Sequence, residues 1–156
     1  MRMFVLTVVT ALLYLSVGRT DDQDVIKQDK QKLQGVWVPV KMEMSGQFMG
    51  KEDLKKQPKL GINGDKLVTP GAAPADAIYS GPLDIQVDGK LRRITIYGSS
   101  PGPNGEKLKQ HGIYKIEADT LTLCLNVDCV SDTKPDKFES RPGSAFCIIE
   151  FRREKK

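Results

Sequence analysis

The chain has 156 residues, of which 39% are hydrophobic and 28% charged, a balance that suits one globular domain and excludes the disordered and fibrous classes. Its formal net charge of +4 is a small excess. Nucleic-acid binding needs clustered cations rather than a slight surplus, so that class of partner is set aside.

The N-terminal stretch MRMFVLTVVTALLYLSVG places one basic residue, Arg2, before an apolar run from Met3 to Leu15, with small residues at Ser16 and Gly18. It reads as a secretory signal peptide, residues 1–18, cut after Gly18. The run falls short of the roughly 20 residues a spanning helix needs. An exported protein, periplasmic or extracellular and without a membrane span after cleavage, is therefore expected, with an uncleaved N-terminal anchor as the alternative. No cysteine lies near the cut to suggest a lipid anchor, and cleavage removes only one charge, that of Arg2.

The segment 19–34 is polar and carries helix-compatible spacing from Asp24 to Leu33, enough for one or two turns before Gly35. From there to residue 154 the pattern is almost wholly β. Val36, Val38, Val40, Met42 and Met44 alternate with polar residues, the period of a half-buried strand over 36–44. Trp37 has the opposite parity, which a bulge near Pro39 would reconcile. A short surface helix is expected over 52–56, then hairpins turning at Asn63-Gly64 and Asp88-Gly89, dipeptides suited to positive φ. A Pro- and Ala-rich segment, TPGAAPADA, lies between the two hairpins. The segment GSSPGPNGEKLKQ reads as a loop. HGIYKIEADTLTLCLNV reads as two strands joined at Ala118-Asp119, with Ile113, Leu121, Leu123 and Leu125 marking apolar faces. A long polar loop precedes the closing strand AFCIIEFRRE, and RREKK reads as a solvated tail. About eight short antiparallel strands in sequence describe an up-and-down barrel or a sandwich. A barrel of eight strands is either filled by side chains or holds one small ligand.

A helical turn, Gly35-x-Trp37 at the start of the first strand and an arginine on the last strand together resemble the lipocalin pattern. That resemblance implies a lipocalin-like antiparallel up-and-down barrel in which the Trp ring closes one end and the arginine packs on it. On the final strand Cys147, Ile149 and Phe151 share one parity, and Arg153 shares it while Arg152 does not. The segments LQGVW, GIYKIEADTLTLC, PDKFESRPGS and FCIIEFRRE, with GPNGEKLKQHGIY, are similar to an uncharacterised lipocalin-like domain family abundant in exported proteins of planctomycete bacteria. The resemblance covers nearly the whole mature chain and implies the fold; the family carries no established activity or ligand. The chain departs from the pattern in a longer insert around Pro70 to Ala77 and in the cysteines Cys129 and Cys147.

Candidate chemistry is sparse. His111, the single histidine, precedes Gly112 at an expected strand start, the place of a surface or turn histidine rather than a catalyst. No Gly-x-Ser-x-Gly, Cys-x-x-Cys or phosphate-binding loop occurs, and Asp65, Asp88 and Asp119 suit turns. No catalytic constellation, cofactor or metal site is expected. Export permits disulfides. Parity puts Cys124 outside and Cys147 inside, so the preferred bridge is Cys124 to Cys129, with Cys147 as a core residue. Thiols split between two faces also argue against a metal site.

Two functional classes remain open. The barrel binds a small apolar molecule among Val38, Met42, Leu123, Leu125, Ile149 and Phe151, or those residues form a filled core. In the second case the barrel is a scaffold whose loops at 70–77, 98–110 and 127–144 meet a protein partner.

Overall fold

A computed structural model describes residues 17–70, 80–102 and 104–155. Most of the expected signal peptide, and residues 71–79 of the Pro- and Ala-rich segment, lie outside the described residues. Helix α1 (Val17–Leu33) leads into β1 (Gly35–Met44), the two-residue β2 (Gln47–Phe48), helix α2 (Lys51–Lys55), β3 (Leu60–Asn63) and β4 (Lys66–Val68). Then follow β5 (Gly81–Asp88), β6 (Leu91–Pro101), β7 (Lys107–Glu117), β8 (Thr120–Asn126) and β9 (Phe146–Arg153).

Strands β3 to β9 pair antiparallel in order, and β1 bonds to both β3 and β9. These eight strands form a closed up-and-down barrel, and β2 is a flap folded back on the end of β1. Closure satisfies strand edges that would otherwise template pairing with other chains. Among the described residues no helix is long and apolar enough to cross a membrane.

Three hairpins turn at one end of the barrel, each through two residues: Gly64-Asp65, Gly89-Lys90 and Ala118-Asp119. The first two turns sit one residue later than the sequence suggests. Asn63 and Asp88 stay paired in their ladders, and positive φ is needed only at the next position, Gly64 (φ 60) and Gly89 (φ 60). The same end receives α1, which is longer than the one or two turns expected. Ile26, Asp29 and Leu33 fall on one helical face and pack toward the barrel, while Asp22, Lys27 and Lys32 stay in water. Asp29 accepts a hydrogen bond from the Tyr114 hydroxyl at 3.0 Å and an ion pair from Arg92 Nε at 3.0 Å, which pins the helix to β7 and β6. Burial, then the Asp29 charge, holds the Tyr114 phenol well above its ordinary range, so it stays a donor.

The first strand departs from simple alternation. Trp37 and Pro39 are both buried, and the β1–β9 register shifts between Pro39 and Lys41. Proline lacks the N–H that a continuous ladder would use, and the break in register falls beside it. The bulge exchanges the two faces: before it the odd residues point inward, after it Met42 does. Val38, opposite Arg152, is left on the outer face.

The interior is unevenly filled. Leu33, Trp37, Ile62, Ile85, Ile94 and Leu121 pack tightly near α1, whereas the far half contains a cavity. A second, smaller core lies outside the barrel. Ile113 and Cys124 pair across β7 and β8 on the outer face, yet both are fully buried. The connection 127–145 covers them. It is held by Lys109 N–H to the Cys129 carbonyl at 2.8 Å, Asn126 Nδ2 to the Thr133 carbonyl at 2.9 Å and Arg93 Nη1 to the Pro135 carbonyl at 3.1 Å. Ile113 therefore does not share the inward face of the leucines; Tyr114 and Ile116 do.

Candidate functional site

The closed end of the barrel is built by the segment Leu33 to Trp37. Trp37 is 0% exposed, and its indole Nε1 donates to the Leu33 carbonyl at 2.8 Å, so the ring is locked across the barrel end. The Arg153 guanidinium lies over that ring, 4.2 Å from its centroid. Its Nη1 and Nη2 donate to the carbonyls of Gln34 and Lys32 at 2.5 and 2.6 Å, satisfying acceptors that the end of α1 leaves open. Gly35 makes this approach feasible: its φ is +116°, and a Cβ there would stand 3.2 Å from Arg153 Nη1. Gln34 exchanges two hydrogen bonds with the backbone of Gly64, fastening the helix end to the β3–β4 turn. Each residue of the Gln-Gly-x-Trp run thus has a separate part in sealing this end.

Beyond this closed end lies a cavity of about 350 Å³. Met42 of β1, Leu123 and Leu125 of β8, and Ile149 and Phe151 of β9 line it, as expected from alternation. Val38 does not, because Trp37 and Pro39 on either side of it point inward and it faces out. Met44 and Met49 form part of the rim, where Met44 is exposed, so the cavity reaches solvent at the end opposite Trp37. Unbranched thioether side chains are adaptable walls for an apolar guest. Leu60, Leu67 and Ile96 and the polar Gln57, Thr69 and Gln110 also line it, as does Cys147. Lys59 also borders the cavity, but its ammonium is paired with Glu154 at 2.5 Å.

Sequence reasoning missed Gln110 because the Gly and Pro content of 98–110 reads as loop. The ladder instead extends β6 to Pro101 and starts β7 at Lys107. Counting back by twos from the inward Tyr114 through Gly112 reaches Gln110, which is the signal that could have found it.

The three thiols are unjoined. Cys124 lies beneath the outer connection with its Sγ near the Glu139 carbonyl, whereas the turn shaped by Asn126 and Asp128 carries Cys129 toward β7. The Cys124–Cys129 bridge expected from the sequence is therefore absent. Cys147 faces the cavity, and burial, with Cys124 adding to it, pushes its thiol up to about 11. A protonated thiol is a poor nucleophile and a poor metal ligand.

His111 is not at a strand start but within β7, 8% exposed beneath the outer connection. Its Nδ1 lies 3.1 Å from Thr95 Oγ1, and its Nε2 lies 3.5 Å from a carboxylate oxygen of Asp132. Among the described residues no three His, Cys, Asp or Glu side chains converge as a metal site would require. Of the loops considered for a partner, 98–110 is mostly strand, and 127–144 is fastened to the barrel wall. Comparison with protein-family models, with curated proteins and with solved structures found no match to this chain.

Proposed function

We propose that this is an exported, lipocalin-like binding protein that carries a small apolar molecule in the open half of its barrel. The observation that carries the reading is the cavity of about 350 Å³, walled mainly by methionine, aliphatic and Phe151 side chains, in a barrel whose other end is closed by the buried Trp37. Its volume is in the range of sites for small molecules, and a site of this lining favours apolar guests over water. Export rests on the N-terminal sequence, and the lipocalin-like reading rests on the Gly35, Trp37 and Arg153 arrangement together with the meander.

Cys147 supplies a built-in reporter, because a guest among Met42, Leu125 and Ile149 screens its sulfur. Native mass spectrometry of protein purified from its own host should show an added small-molecule mass. The dye 1-anilinonaphthalene-8-sulfonate should fluoresce with the folded protein and slow alkylation of Cys147. A bare polypeptide mass, together with no dye binding, would overturn the reading. It would return the barrel to the role of a scaffold for a protein partner.

A further inference from the structure

Methionine is placed selectively in this chain. Of its five methionines, Met1 and Met3 precede the described residues, and the other three, Met42, Met44 and Met49, all line the cavity. The β1–β2 hairpin gathers them on one face. Met42 and Met44 are two apart on β1 and point the same way. The ladder joins Glu43 to Phe48 and Met44 to Gln47, so its next step sets Met42 opposite Met49. The Met49 N–H donates to the Met42 carbonyl at 2.9 Å, as that step requires. Opposed side chains set out about 5 Å apart and diagonal ones about 7–8 Å. Thioethers on three rotatable bonds can therefore bring their sulfurs to one point. The strands that face the hairpin across the cavity supply leucine and isoleucine instead, among them Leu67, Ile96, Leu123 and Leu125.

We infer that Met42, Met44 and Met49 form a three-thioether site for a soft monovalent metal ion of the Cu(I) class at the mouth of the barrel. Thioether sulfur is a soft, uncharged donor that selects Cu(I) over harder ions. Ca²⁺ and Mg²⁺ call for several oxygen ligands, and Zn²⁺ for imidazole, thiolate or carboxylate. Among the described residues no His, Asp or Glu lines the cavity. A single positive charge also suits the place, because Met44 is 45% exposed and leaves the ion a route from water and partial solvation once bound. The ammonium of Lys59, which borders the same cavity, is offset by Glu154. The inference goes beyond the apolar-guest reading and does not rest on it, since it needs only the hairpin.

The test uses Ag(I) as a redox-stable probe of the same class and reads the methionine ε-methyl groups by carbon-edited NMR. In the wild-type chain Ag(I) should shift the methyls of Met42, Met44 and Met49 together, saturating at one equivalent, while Zn(II) leaves them unmoved. The methyls report thioether ligation and are not the groups a thiol would use. In Cys147→Ala, which removes the thiol across from Met44 on β9, the three shifts should persist. Met42→Leu keeps an apolar side chain of similar volume. It should weaken Cu(I) binding, measured anaerobically in competition with bicinchoninate, by more than the roughly tenfold that loss of even an outer partner costs a metal site. The wild-type spectrum stands even if that variant folds poorly. Methyls that stay in place, shifts that vanish in Cys147→Ala, an equal response to Zn(II), or undiminished binding by a folded Met42→Leu would each overturn the site.

Discussion

The two ends of the barrel are built on opposite principles. At the α1 end, three two-residue turns, a fully buried tryptophan and the Asp29–Tyr114 hydrogen bond leave almost nothing unsatisfied. At the other end long connections and flexible methionines surround the cavity. Stability is concentrated where the chain closes on itself, and the capacity to accept a guest is kept where packing is loose. One half of the fold can therefore vary its lining without weakening the seal.

Truncating one residue at each end makes the sharpest test of this division. Trp37→Ala should cost about 3–5 kcal/mol in urea unfolding, since it empties a packed site and orphans the Leu33 carbonyl. Met49→Ala, at the rim and already facing the cavity, should cost about 1 kcal/mol. Similar losses at the two sites would break the comparison.

A smaller effect separates neighbours on β9. Arg153→Ala removes the cation over Trp37 and uncovers the carbonyls of Lys32 and Gln34, a loss of about 2–3 kcal/mol. Arg152→Ala, on the exposed face, should stay within about 0.5 kcal/mol. Equal effects would mean that the seal does not depend on the guanidinium.

A test by pH addresses the cavity half. Native Cys147 keeps its proton up to about 11, while the unfolded thiol loses it near 9. The stability held below pH 9 is therefore lost as the pH rises through that window, because the folded state then binds the extra proton. The difference in unfolding free energy between wild type and Cys147→Ala should change across the window and be flat below it. A difference that stays constant from pH 8 to 11 would place the thiol in water.

Much of the barrel was legible because alternation is a local property. Leu121, Leu123 and Leu125 declare one face of β8, and Cys147, Ile149, Phe151 and Arg153 declare one face of β9. Parity on β9 alone selects the arginine that lies over Trp37. Features that depend on distant contacts were hidden. The bulge beside Pro39 is expected from the parity of Trp37, but its consequence for Val38 is not: with Trp37 and Pro39 turned inward, Val38 between them faces out. The outer core beneath 127–145 was equally hidden, since a polar connection buries Ile113 and Cys124 by hydrogen bonds that its composition does not advertise. Gln110 was obscured because glycines and prolines in a hairpin tip mask the strands on either side.

The seal joins Gln34 to Arg153, positions 119 residues apart. A ribosome adds roughly 5–20 residues each second, so the two halves of this contact are made at least several seconds apart. The latch closes only after the final strand has emerged, and by then the helix end and the indole ring have long been waiting for it.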